Sequence, residues 1–292
     1  MRFRHLPIVA FDTETTGLNP FDGDRIIEIG IVTLTLGPDG DIVDREDFSQ
    51  FVNPGIPIPR KVTEITGIRD SDVMDAPTFP DIAFEVQERL AAGLAVAHNF
   101  PFDLAFLEQE LRFAGLSWPC PVAEIDTVDL SMKLFPDAAS HKLGDLARRL
   151  DVPLENAHRA TDDAAACGLS LARLLRRHDV GDDLQALLDW AGAIGRPPED
   201  GPLASTEQGV VFTEGPHDGR PVAEFPLHLQ WMLEARTRGP NGWQHRYAES
   251  SRRWIRRWLD VRGSGRAQGG VKPIHPDAWQ LDSCVAVEIP AS

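Results

Sequence analysis

The run Ile8-Val9-Ala10-Phe11, followed at once by Asp12-Thr13-Glu14-Thr15-Thr16-Gly17-Leu18, constrains this chain more than any other segment. The apolar run reads as a short buried strand, and Gly17 punctuates its end. Side chains two apart on a strand point to one face. Asp12 and Glu14 therefore project together from the end of a buried element. Two adjacent carboxylates in such a place are costly unless something compensates them. Hard divalent cations such as Mg²⁺, which prefer carboxylate oxygens, are the usual compensation. The bland alternative is a pair of acids on an exposed loop after the strand.

The first 178 or so residues alternate strand-like and helix-like stretches, the pattern of an α/β fold. Arg25 to Leu34 is a second strand, 37–40 a turn, and Phe48 to Val52 a third strand. Pro54 to Pro59 is irregular, and helical patterning covers about 78–92. Leu94-Ala95-Val96-Ala97-His98 is a fourth, buried strand. Pro101 suits the first turn of a helix reaching Ala114 and stopped by Gly115. A short strand near Ile125, helices near 127–134 and 142–150, and a long Ala/Leu-rich helix over 160–177 follow. Residues 195–202, rich in Pro and Gly, read as a linker, and a second small unit begins near Gly209. Four segments are expected: 1–178, a helical extension and linker over 179–208, a small module over 209–262, and a partly disordered tail over 263–292, which opens on the loop-like run 262–270.

No run of 18 or more apolar residues is present, so no membrane span is expected. Cys120, Cys167 and Cys284 are scattered and fit neither a disulfide framework nor a zinc site. A reducing cytoplasm is the economical compartment. The net charge of −16 argues at first against a nucleic-acid binder. The sign is uneven, however. Residues 236–272 carry nine Arg and Lys272 against only Glu249 and Asp260.

Two more acidic positions stand out. Asp103 lies in the first turn after Pro101, where the helix dipole favours its charge. Asp162 and Asp163 open the last long helix, four and five residues after His158. Asp163 shares its helical face with Ala166, Cys167, Ser170 and Leu174, the side expected to meet the sheet; Asp162 falls on the wetter side with Arg173. Each acid alone is commonly a simple helix-start residue.

Taken together, Asp12/Glu14, Asp103, and His158 with Asp163 five residues later resemble the motifs of the DEDDh 3′–5′ exonucleases. That family includes the proofreading epsilon subunit of bacterial DNA polymerase III. The segments 51–59 and 63–68, and His98-Asn99 ahead of Asp103, resemble it too, so the likeness covers about residues 7–177. It implies a ribonuclease-H-like mixed five-stranded sheet flanked by helices. It also implies two divalent cations, Mg²⁺ or Mn²⁺, held by Asp12, Glu14, Asp103 and Asp163, with His158 as general base. By the same likeness Thr13, Leu18, His98, Asn99 and Phe102 lie against the terminal nucleotide, Leu18 wedging against its base. Leu18 and Phe102 could equally be core, and Asn99 a helix cap.

Beyond the linker, Phe212, Gly215, Gly219, Pro226, Leu229 and Trp231 resemble the small C-terminal module of exodeoxyribonuclease X-like proteins, although 214–219 lacks that module's basic turn. Further on, Ser251 to Leu259 as a helix sets Trp254 and Trp258 four apart, flanked by Arg252, Arg253, Arg256 and Arg257. Such a stripe packs onto the module, or it stacks on bases and pairs phosphates. The resemblance implies an enzyme removing nucleoside monophosphates from DNA 3′ ends in repair or proofreading, with a DNA polymerase as a partner. An RNA-directed member of the superfamily and a non-catalytic nucleic-acid-binding protein remain open beside it.

Overall fold

The computed structural model describes residues 2–267, apart from 155, 200, 207–208 and 240–241. Six strands form one mixed sheet: β1 (Ile8–Thr15), β2 (Ile26–Leu36), β3 (Ile42–Phe51), β4 (Leu94–Ala97), β5 (Ala123–Asp126) and β6 (Ile194–Gly195). Their order is β3-β2-β1-β4-β5-β6. β1 pairs antiparallel with β2 and parallel with β4. β5 continues the parallel half, and β6 closes it antiparallel. The sheet thus has one strand more than expected. The extra strand comes from the stretch whose composition suggested the start of a linker.

Among the described residues ten α-helices flank this sheet or belong to the C-terminal part. They are α1 (Arg60–Thr66), α2 (Asp70–Val73), α3 (Phe79–Ala91), α4 (Phe100–Phe113), α5 (Thr127–Leu134), α6 (Leu143–Arg149), α7 (Ala160–Arg177), α8 (Leu184–Ala191), α9 (Pro226–Glu234) and α10 (Glu249–Ala267). Strand parity sorts the core into two layers. Ile8, Ala10, Val32 and Leu34 face Ala164, Cys167 and Leu171 of α7. Val9, Phe11, Ile29 and Ile31 face Phe79 and Val86 of α3 and Phe106 and Leu107 of α4. β1 is covered on both sides, which is why its first half is uniformly apolar. The strand runs on through Asp12 and Glu14, where the apolar run alone suggested an end.

α7 lies unusually close to the sheet. A Cβ on Gly168 would stand 2.9 Å from Ala10 Cβ and 3.2 Å from Leu34 Cδ1. A Cβ on Gly30 of β2 would stand 2.3 Å from the backbone of Ala160 and Thr161. A glycine inside a strand commonly marks such an approach. Here it lets the first turn of α7 rest on β2.

The C-terminal part is built on two hairpins. β7 (Leu203–Thr206) pairs with β8 (Gly209–Phe212), and β9 (Arg236–Gly239) with β10 (Gly242–His245). β7 therefore belongs to the module, although composition left residues 203–206 with the linker. Phe212, Val222, Leu229, Met232, Trp254, Ile255 and Trp258 form its core, joined by Ile194 of β6. Both tryptophans of α10 are buried, and Trp254 Nε1 donates to Gly195 O at 2.6 Å. Of the two readings of the Trp/Arg stripe, packing is the one realised.

α10 continues to Ala267, through residues 262–267 that composition assigned to a loop. Arg262 explains the extension. Its guanidinium bonds to Glu108 of α4 (3.0 Å) and Glu124 of β5 (3.3 Å), and lies 4.4 Å from the Trp258 ring centroid. The remaining tail, 268–292 with Cys284, lies outside the described residues. Arg262→Ala would leave the largely buried Glu124 without this counter-charge, with the Trp118 indole still donating to it. It should cost about 3 kcal/mol, the low end for breaking a buried pair, read as a lower urea midpoint with an unchanged slope.

Candidate active site

Strand parity decides where the first acids point. Asp12 and Glu14 continue the Ile8/Ala10 row toward α7, whereas Thr13 continues the Val9/Phe11 row toward α4. Thr13 meets Asp103, which is 2% exposed in the first turn of α4. Both the Thr13 amide (2.9 Å) and its hydroxyl (2.7 Å) donate to Asp103 Oδ1. Asp163 approaches from the first turn of α7 and accepts from the His158 amide at 2.9 Å. Carboxylate and imidazole ligand atoms of Glu14, His158 and Asp163 all lie within 4.8 Å of one another. Asp162 turns away and accepts from Asn156 at 3.0 Å.

α4 is aimed by a residue that the sequence motifs did not flag. Asp126, at the end of β5, accepts from the amides of Asn99 (3.0 Å) and Phe100 (3.0 Å) and from Val128 of α5 (2.8 Å). One carboxylate thus caps two helices. Asn99 makes no side-chain cap; it takes the left-handed conformation at φ 72° that lets the chain turn into α4. Burial pushes Asp126 up to about 6.

Glu28 is the second such residue. It stands opposite Glu14 on β2 and is 1% exposed. Arg159 Nη2 bonds to it at 2.7 Å, and the Ala160 amide donates to it at 3.2 Å. The arginine also lies over the Phe51 ring at 5.2 Å. The residue before it, His158, sits at φ 67°, a conformation strained for a residue with a side chain. The Arg159–Glu28 ion pair and the Asp163 acceptor flank this residue and hold it in place. The local signal was a charge inside the isoleucine run 26–29, and Gly30 beside it was the other.

The acids raise one another. Burial first, then the charges of Asp103, Asp163 and Glu14, hold Asp12 well above the usual carboxylate range. Glu14 is pushed up to about 8 by burial and by Asp163, Glu28 and Asp103, against a smaller opposing pull from Arg159. Asp103 is pushed up to about 7 by burial, which outweighs the two Thr13 bonds. Asp163 is raised by burial despite the His158 amide. This crowding is what a hard cation relieves. The carboxylate oxygens are the donors that suit such an ion.

The residues expected around the nucleotide are placed diversely. Leu18 is 80% exposed, so it is not core. Thr13 is buried with its hydroxyl committed to Asp103. His98 Nδ1 lies 2.9 Å from Thr127 Oγ1, and burial pushes its imidazole down to about 4, leaving it neutral. Phe102 is half-buried against Phe106, ring centroids 5.1 Å apart.

The exonuclease family model, RNase_T, matches residues 9–169, and the chain belongs to that family. It is 43% identical over 178 residues to the PolC-type DNA polymerase III of Clostridium perfringens, covering 60% of this chain and 12% of that protein. It is 38% identical over 170 residues to the 3′–5′ exonuclease DinG of Bacillus subtilis (58% and 18%). It is 39% identical over 172 residues to a DNA polymerase III epsilon-like protein of Rhodobacter capsulatus (58% and 24%). The chain therefore spans a quarter or less of these curated relatives. Among solved structures, exonuclease I has the same fold, with a TM-score of 0.51 at 17% identity over 60% of this chain and 41% of that one.

Two outcomes follow from this geometry. Glu14, ordinarily near 4.5, is raised to about 8 in the folded chain. The stability linked to its proton is present below about 4.5 and is lost as pH rises through 8. Thermal melts of the cation-free protein should fall across that window, and Mg²⁺ or Mn²⁺ should restore more at pH 8 than at pH 5. Gly30→Ala should push the start of α7 off the sheet and cost about 1–3 kcal/mol, the range for overpacking, with weakened cation binding by calorimetry.

Proposed function

We propose that this chain is a metal-dependent 3′–5′ exonuclease that releases nucleoside monophosphates from DNA 3′ ends. The observation that carries the reading is the convergence of β1, α4 and α7. Ligand atoms of Glu14, Asp163 and His158 lie within 4.8 Å of one another, and the charges of Asp103, Asp163 and Glu14 all bear on Asp12. The exonuclease-family match over residues 9–169 supports the reaction class. The PolC-type and epsilon-like DNA polymerase III relatives favour DNA over RNA, and a DNA polymerase as the protein partner. The cytoplasm is the compartment that goes with this role. Among the described residues no helix is long and apolar enough to cross a membrane.

Asp12, Glu14, Asp103 and Asp163 would hold two cations, Mg²⁺ or Mn²⁺. When bound, these lower the pKa of the attacking water and stabilise the leaving 3′ oxygen. The chain's own groups do the rest. Thr13 fixes the orientation of Asp103 through two bonds to one oxygen. His158 is solvent-accessible within the acidic cluster, and its imidazole accepts the proton of the attacking water. Its backbone is held by Asp163 and, through Arg159, by Glu28. Leu18 offers an exposed apolar side chain to the terminal base. Neutral His98 adds no positive charge to the site.

Single- and double-stranded DNA and RNA oligonucleotides, labelled at either end, test the reading directly. Mononucleotide release from DNA 3′ ends with Mg²⁺ or Mn²⁺, abolished by EDTA, is expected. Full activity in EDTA would sink it, and faster turnover of RNA would move the substrate to the other nucleic acid.

His158→Ala should lower kcat by about 10²–10⁴-fold, the usual worth of a general base, while cation binding persists. Asp163→Asn should remove activity and Asp162→Asn should retain most of it. Side-by-side kinetics in the opposite order would reassign the ligand.

A further inference from the structure

The tryptophans flanked by arginines near the C-terminus do not face outward. The tryptophans of α10 are core. Arg252 and Arg256 pair with Glu249, and Arg262 with Glu108 and Glu124. That helix offers no aromatic platform. The exposed one lies on the ribbon formed by β9 and β10, where Trp243 is 71% exposed.

In that ribbon Trp243 stands opposite Arg238, and His245 opposite Arg236. Opposite residues share a face, as do alternate residues along a strand. Arg236, Arg238, Trp243 and His245 therefore occupy one face. Both arginines are exposed, and among the described residues neither has an ion-pair partner. The aromatic row continues at the base of the ribbon. Tyr247, two residues past His245, meets Trp231 edge-on at 6.4 Å. Trp231 is 48% exposed and stacks on His228 at 5.1 Å.

Free guanidinium groups beside an exposed indole, in a chain of net charge −16, mark a place for a polyanion that carries flat rings. The other ribbon face at these positions, Thr237 and Gln244, is polar, so the ribbon lacks the apolar surround of a protein-binding hot spot. We propose that the β9–β10 ribbon binds single-stranded nucleic acid, with Arg236 and Arg238 on phosphates and Trp243 stacked on a base. The proposal rests on the exonuclease reading and adds to it a second contact region for the strand.

The test uses the full-length chain carrying Asp163→Asn, so that binding is read without turnover. Labelled oligothymidylate and oligouridylate are titrated between about 50 and 200 mM salt, the span over which phosphate contacts show. The double variant Arg236→Gln/Arg238→Gln should reduce the log–log salt slope by about 1.4, at about 0.7 per single-strand phosphate. Trp243→Ala should weaken binding about 5- to 150-fold with the slope unchanged, the worth of one stacked base. Trp243→Phe should recover most of the loss. Parental affinity and slope in all of these variants would overturn the proposal. So would equal loss in Trp243→Ala and Trp243→Phe with a lowered melting temperature, which would make Trp243 a packing residue. Hydrolysis of the p-nitrophenyl ester of thymidine monophosphate by the parent chain reports on the exonuclease reading separately. Its absence would sink that reading and leave the binding result standing. Intact hydrolysis with unaltered oligonucleotide binding in the variants would sink the ribbon alone.

Discussion

The contact on which the rest depends is the seating of α7 on β1 and β2. Gly168 lets the helix touch Ala10 and Leu34, and Gly30 lets its first turn rest on the neighbouring strand. A methyl group at either place would meet atoms closer than van der Waals contact allows. Because the helix lies so low, Asp163 reaches the same mouth as Glu14, although the two come from elements far apart in sequence. The acids are then close enough to hold one another above their ordinary ionisation range. Packing comes first, and the electrostatics are its result.

Around that contact the chain invests polar groups mainly in aiming. Asp126 fixes the start of α4, Thr13 fixes the Asp103 carboxylate, and Glu28 fixes the segment before α7 through Arg159. Each is a hydrogen bond or ion pair in a place largely withdrawn from water, where geometry is enforced more strongly than at the surface. Alternation along β1 divides the labour: even-numbered acids face one layer, and Thr13 faces the other.

Much of this was legible in the sequence, for physical reasons. The buried strands were visible because burial on both faces makes them apolar without alternation, as in 8–11 and 94–97. The four acids and His158 were visible because a short motif keeps its spacing on one element. What escaped was everything that depends on tertiary neighbours. Glu28 and Asp126 act on backbone groups more than twenty residues away; the charge within 26–29 hints at Glu28, but nothing local names the partner of either. β6 is two residues long, too short for periodicity, and forms only because β5 offers an edge. The tryptophans of α10 illustrate the converse. Helical spacing correctly put them on one face but was silent on whether that face met solvent or the module's core.

One helix ties the two halves of the molecule together. α4 presents Asp103 from its first turn and, little more than one turn further along, offers Glu108 to Arg262. Since successive turns of an α-helix are rigidly spaced, the C-terminal module is mounted on the same rod that carries a carboxylate of the mouth. Its position relative to the acids is therefore set by a stiff strut and not by the length of the tether over 195–202. The module is thus joined to the helix that carries Asp103, so it acts as a bracket beside the site and not as a trailing appendage.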